Sequence, residues 1–116
     1  MTVTILLADD HPLIRRGLRN LLATEPGFSV VGEAEDGLQA VQLAESLQPG
    51  IMIVDLMMPN LNGLEVLRQV SRRSPKTRMI ALSMQSADAY VVETFRSGAI
   101  GFVLKDSCEP TVKPRD

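Results

Sequence analysis

The stretch "IMIVDLMMPNLNG", Ile51 to Gly63, places one carboxylate, Asp55, at the end of an apolar run and directly before Leu-Met-Met-Pro. An ionised carboxylate withdrawn from water without a partner costs several kcal/mol or shifts its pKa. Asp55 therefore either reaches solvent at a strand end or meets a positive group, and the rest of the chain has to supply it.

The surrounding sequence alternates regularly. "VTILLA" (Val3 to Ala8) is a short apolar run ending at Asp9 and Asp10, and Leu13, Ile14, Gly17, Leu18, Leu21 and Leu22 follow at helical spacing. Pro12 suits a first helical turn and Pro26-Gly27 closes the segment. "FSVVGEA" reads as a second strand. Asp36 with Gln39 has the spacing of a capping box, and Leu38, Val41, Ala44 and Leu47 form one apolar face before Pro49-Gly50. "IMIVD" is the third strand. Asn62 with Glu65 repeats the cap spacing ahead of Leu64, Leu67 and Val70, and Ser74-Pro75 ends that helix. "TRMIALS" is a fourth strand, "ADAYVVETFRSG" a fourth helix with Tyr90, Val91, Thr94 and Phe95 on its apolar side, and "AIGFVLK" a fifth strand.

Nearly continuous apolar strands are buried on both faces, and their alternation with helices favours parallel pairing, so the expected fold is an open α/β sheet. Ligands of such sheets bind outside the carboxyl ends of the strands. Asp9, Asp10, Asp55, Ser83 and Lys105 all fall at that edge.

Composition bounds the function. The chain has 116 residues, 45% of them hydrophobic, which suits one domain with one core. Twelve basic against fourteen acidic residues give a formal charge of −2, and the basic residues are scattered, so the chain lacks the footprint of a nucleic-acid binder. The one cysteine, Cys108, has no intramolecular partner and reads as a free tail thiol. No apolar run is long enough to span a bilayer, so the expected setting is cytoplasmic with no membrane contact.

The ordered set "LLADDHP", "IVDLMMPNLNG", "IALS" and "GAIGFVLKD" resembles the receiver domains of two-component response regulators, from Ile5 to Asp106. Within that family, "DDHPLIRRGL", "LS" and "GFVLKD" resemble the branch whose receivers are joined to LuxR-type helix-turn-helix output domains. The resemblance implies a flavodoxin-like receiver fold with strand order 2-1-3-4-5, covering residues 1–106. It also implies that Asp55 accepts a phosphoryl group from a sensor histidine kinase, and that regulation of transcription, and any contact with DNA, runs through an output domain absent here. Chemically, three carboxylates roughly 5 Å apart repel by about 3 kcal/mol per ionised pair at an effective dielectric of 20, which calls for a cation. Oxygen ligands favour Mg²⁺. By resemblance its ligands are Asp10 and Asp55 directly, the Met57 backbone carbonyl, and Asp9 through water. Lys105 and Ser83 would meet the phosphoryl oxygens, and Phe102 is the aromatic that turns inward on phosphorylation.

Each residue also has a plainer reading: Asp9-Asp10 as a solvated helix cap, Lys105 and Ser83 as strand-end residues, Phe102 as core; His11, beside the acidic pair, is a ligand or proton shuttle on one reading and a capping or surface histidine on the favoured one. Met57, Met84 and Gln85 depart from common choices beside the phosphorylation site, which leans the reading toward slow dephosphorylation, and Lys105-Asp106 replaces a frequent Lys-Pro, so a trans bond is expected. The rival function is a Mg²⁺-dependent hydrolase with Asp55 as nucleophile, but no inserted cap is present, so the chain is not read as an enzyme beyond its own phosphorylation and dephosphorylation. Finally, "DSCEPTVKPRD" has no helical apolar face, so residues 107–116 read as an irregular tail in place of a fifth helix. The flank of the first helix is then left open, and pairing with another copy, or exchange of an element with it, is expected to cover it.

Overall fold

A computed structural model describes residues 2–85 and 87–105. Their elements run β1 (Val3–Ala8), α1 (Pro12–Ala23), β2 (Phe28–Ala34), α2 (Gly37–Leu47), β3 (Ile51–Asp55), α3 (Gly63–Arg73), β4 (Arg78–Ser83), α4 (Asp88–Arg96) and β5 (Ala99–Leu104). The expected tail, the Lys105-Asp106 bond and Cys108 lie outside the described residues.

The five strands form one parallel sheet in the order β2-β1-β3-β4-β5, as expected. Because side chains alternate across a strand, the runs split between two layers. Leu6, Ala8, Met52, Val54, Met79 and Ala81 join a cluster with Ala40, Val41 and Ala44 of α2 and Val66, Leu67 and Val70 of α3. Ile5, Leu7 and Leu82 are buried but stand outside that cluster, and Leu82 shares a groove with α1. α2 packs beside α3, and α1 lies over β1 and β2.

One helix differs from its expected packing. On α2, Leu38 and Leu47 are largely exposed, and the buried stripe is Gly37, Ala40, Val41 and Ala44. Small residues face the sheet because they let helix and strands approach closely. α1 has no fully buried residue among those described, with Leu13 77% and Leu21 66% exposed. Leu18 and Leu22 are half-buried, and polar contacts tether the helix as well: Arg15 Nη1 donates to the Asp9 carbonyl at 2.6 Å, and Arg15 and Arg19 both pair with Glu33 on β2.

The caps explain where the helices begin. Asp36 accepts from the Gln39 N–H at 2.8 Å, while the Gln39 side chain accepts from the Glu35 N–H, completing a reciprocal cap one residue earlier than the standard box. Asn62 caps through the Leu64 N–H, and Glu65 pairs with Arg68 and Gln69 and not with the cap, so the second expected box is a simple cap. Gly63 serves the same turn: a Cβ there would stand 2.5 Å from Leu56 backbone atoms, so only glycine lets α3 start against the segment that leaves Asp55.

Candidate phosphoacceptor and cation site

At the carboxyl edge of the sheet, β1 delivers Asp9 and Asp10, β3 delivers Asp55, β4 delivers Ser83 and the end of β5 delivers Lys105. Parallel register makes this convergence, since Ala8 pairs with Val54, Asp55 with Leu82, and Ser83 with Leu104. All five residues that the sequence singled out for this edge therefore stand at it.

Asp55 is fully buried. One carboxylate oxygen accepts from the Met57 N–H at 3.0 Å and the other from Lys105 Nζ at 3.0 Å. The carboxyl is nevertheless pushed above the usual carboxylate range: burial is the main cause, the Met57 N–H and Lys105 oppose it, and the nearby charge of Asp9 adds to it. Lys105 answers in kind. Burial alone would lower its ammonium, but the hydrogen bond and charge of Asp55, with those of Asp9 at 3.2 Å, hold it above the usual lysine range.

Asp9 is also buried, whereas Asp10 is about one-third exposed. Asp9 Oδ2 is ion-paired with Lys105 at 3.2 Å, and Asp10 Oδ1 lies 3.2 Å from His11 Nδ1. Three clustered carboxylates with one ammonium between them present an all-oxygen set that a divalent cation balances, so the donor set fits Mg²⁺. Ligand atoms of Asp9, Asp10, His11 and Asp55 all lie within 4.8 Å of one another.

Ser83 is buried, its hydroxyl accepting from the Gln85 N–H at 2.9 Å and donating to the Gln85 carbonyl at 3.2 Å. Phe102 is half-buried against the main core. Met57 is 53% and Met84 58% exposed, the first lying two residues after Asp55 and the second directly after Ser83.

Two participants were not assigned by sequence reasoning. The His11 ring points inward, with Nδ1 2.9 Å from Asp9 and 3.2 Å from Asp10. Tyr90, read as an apolar residue of α4, has its phenol pushed up in pKa by burial and then by the charge of Asp55, and a hydrogen bond with Ser83 partly offsets both. The adjacency of His11 to the acidic pair was a signal for the first; nothing local signalled the second.

Comparison with known proteins agrees with this geometry. The profile of the response regulator receiver domain family matches residues 5–113. The nitrate/nitrite response regulator protein NarL of Escherichia coli (strain K12) is 44% identical over 103 residues, 89% of this chain and 48% of that protein. The chain spans about half the length of the curated relatives it matches. Among solved structures, the signal receiver domain of the response regulator NarL from Mycobacterium tuberculosis superposes with a TM-score of 0.85 at 35% identity, covering 90% of this chain and 85% of that one. A LuxR-family two-component response regulator from Aurantimonas sp. SI85-9A1 gives 0.84 at 35% identity, covering 90% and 75%. The fold, the acidic edge and these likenesses meet in one conclusion: this chain belongs to the response regulator receiver domain family.

Proposed function

We propose that the chain is a phosphorylation-controlled switch in which Asp55 takes a phosphoryl group from a phosphohistidine of a sensor kinase. The observation that carries this reading is the buried Asp55 carboxylate, held at one oxygen by the Met57 N–H and at the other by Lys105. An Asp55 oxygen attacks phosphorus, the phosphorus–nitrogen bond of the donor breaks, and an acyl phosphate forms on Asp55. Lys105, already 3.0 Å from Asp55, is placed to follow the charge onto the phosphoryl oxygens. When bound, Mg²⁺ neutralises charge on the transferring group, and Asp10, Asp55 and the Met57 carbonyl would hold it, with Asp9 acting through water. Asp9 is the more buried and already engaged by Lys105 and His11, which supports the outer role.

Ser83 has to leave Gln85 to reach a phosphoryl oxygen. That motion vacates space beside half-buried Phe102, which then turns inward and re-forms the surface of α4 and β5. Shifting such a balance from 1:99 to 99:1 takes about 5.5 kcal/mol, within reach of a few charge-assisted hydrogen bonds. The output is transcriptional control through a DNA-binding domain elsewhere in the protein, in a cytoplasmic setting. No described helix is long and apolar enough to cross a membrane.

A second copy of the chain is the partner we assign to α1. Leu13, Ile14 and Leu21 are exposed ridges that also line a groove of about 410 Å³ reaching Leu82 and Lys105, so one surface supplies both knob and hole, as a two-fold contact requires. Sedimentation at micromolar concentration should show dimers that Leu21→Glu converts to monomers; monomers in both proteins would remove this partner.

The phosphoacceptor reading is tested with acetyl phosphate. Mg²⁺-dependent labelling is expected in the parent chain, with loss of about two orders of magnitude or more in Asp55→Asn and on removal of Mg²⁺. Asp10→Ala should weaken Mg²⁺ more than Asp9→Ala; equal losses would overturn the direct and water-mediated roles.

A further inference from the structure

The segment that leaves β3 after Asp55 is fastened in its middle to α2, a helix that carries none of the reacting residues. Met58 is buried and Leu61 half-buried against the main core, which fixes how deep the segment sits, while Met57, Pro59 and Asn60 stay exposed. Asn60 has φ +76, in the left-handed region that residues with a side chain rarely adopt and that asparagine tolerates better than most. Around it three contacts reach the start of α2. The Gly37 N–H donates to the Pro59 carbonyl at 3.1 Å, the Asn60 amide donates to Asp36 Oδ2 at 3.1 Å, and Leu61 lies so close that a Cβ on Gly37 would stand 2.6 Å from the Leu61 Cβ. The other oxygen of Asp36 accepts from the Gln39 N–H at 2.8 Å, so one carboxylate both caps α2 and holds the segment. The Gln39 N–H, and after it the Asn60 amide, keep that carboxyl below the usual carboxylate range, so it is a charged acceptor at neutral pH.

We propose that Asn60 and Asp36 are positioning residues for the phosphoacceptor: their hydrogen bond sets the path of residues 56–62 and thereby holds the Met57 N–H against the Asp55 carboxylate. The inference rests on reading Asp55 as the phosphoacceptor and adds two residues, neither touching the reacting atoms, to the machinery around it. The Met57 N–H, 3.0 Å from the Asp55 carboxylate, belongs to the same short segment as Asn60. The near end of that segment is fixed by the pairing of β3 with β4, and the far end by the Asn62 cap and by Gly63 packed on Leu56. A left-handed residue between two fixed ends persists where its surroundings over-determine it, and such residues cluster at functional sites. Released from Asp36, Asn60 relaxes toward negative φ and turns the peptides before it, including the one that carries the Met57 N–H. A misplacement of about 1 Å costs up to about a hundredfold in rate. One exposed hydrogen bond, backed by the Gly37 contact and by buried Met58, accounts for about three- to tenfold.

The opposite reading is that the bond only stabilises the start of α2. A donor–acceptor swap separates the two. Asn60→Asp sets two carboxylates face to face, and the double variant Asp36→Asn/Asn60→Asp restores one amide and one carboxylate with their roles exchanged. Asparagine and aspartate both cap helices and both tolerate a left-handed backbone, so the swap alters the pair alone. The readouts, in variants shown by urea titration to be folded, are the rate of acetyl phosphate labelling with Mg²⁺ and the amide resonance of Met57 without metal. Labelling should slow about threefold in Asn60→Ala and about tenfold in Asn60→Asp, and return to within about twofold of the parent in the double variant. The Met57 resonance should move in both single variants and return in the double. Unchanged labelling in Asn60→Asp, an unmoved Met57 resonance, or a double variant no faster than Asn60→Asp would overturn the proposal. Where Asn60→Asp does not fold, Asn60→Ala decides alike, with neither slowing nor shift overturning it. A parent chain that takes no label sinks the phosphoacceptor reading instead; the Met57 resonance then decides for the positioning pair by returning in the double variant, or against it by failing to.

Discussion

The two ends of the sheet both bury polar side chains, with opposite outcomes. At the amino edge, the Thr77 hydroxyl donates to the Pro49 carbonyl at 2.6 Å, Ser74 lies 2.6 Å from Thr77, and the Gln48 amide donates to the Glu45 and Arg73 carbonyls. These groups are neutral and partnered, and they tie the loop before β3 to the end of α3. At the carboxyl edge, Asp9 and Asp55 are buried carboxylates that share one ammonium, and with Asp10 beside them three carboxylates face a single lysine. A satisfied network needs nothing further and stabilises the fold. An unbalanced one waits for a ligand, and the difference marks which end is the site.

The comparison breaks first at Lys105. Lys105→Met leaves two buried carboxylates without their cation, and unfolding in urea at neutral pH without metal should show a loss of about 3 kcal/mol or more. Added Mg²⁺ should restore part of it by binding the folded state only. A loss below about 1 kcal/mol would mean that water already solvates the pair.

Thr77→Val at the other end removes a buried hydroxyl and strands the Pro49 carbonyl, for an expected cost of about 1–3 kcal/mol. Mg²⁺ affinity and acetyl phosphate labelling should be unchanged. A labelling defect in a folded Thr77→Val protein would show that the two ends are coupled, against their assignment to separate roles.

The smallest effect concerns pH. Asp55 has a raised pKa in the folded chain, so the folded state holds its proton more tightly than the unfolded one. Stability contributed by the protonated form is present below the unfolded value, about 3.9, and is lost as pH rises through the raised folded value. Asp55→Asn should lack this decline and be more stable than the parent at neutral pH by roughly 1 kcal/mol without metal. A variant less stable at every pH would show that the Lys105 pair outweighs desolvation.

The strands were legible because a parallel sheet buried on both faces demands apolar runs, and "VTILLA", "FSVVGEA" and "IMIVD" have the observed limits of β1, β2 and β3. The carboxyl-edge residues followed from where those runs stop. Side-chain partnering was harder to read. Leu38 and Leu47 suggested the wrong edge of α2's apolar stripe, because close helix–sheet approach selects Ala40 and Ala44 over larger residues. Glu65 has the spacing to reach back to a cap but meets Arg68 and Gln69, a choice that depends on side-chain competition along the helix surface. Tyr90 packs from α4 against the core, and only the folded arrangement sets its phenol near Ser83. His11 was visible as a neighbour of the acidic pair, but the direction of its ring is a matter of three dimensions.

The central claim is that the charge stranded at the carboxyl edge exists to receive a phosphoryl group at one atom set, the carboxylate of Asp55. The most direct measurement treats the chain with acetyl phosphate and Mg²⁺, traps the acyl phosphate by borohydride reduction, and locates the reduced residue by peptide mass spectrometry. The account predicts reduction at residue 55 alone, and none when Mg²⁺ is withheld. Reduction at Asp9 or Asp10, or an unmodified chain in the presence of Mg²⁺, would contradict it.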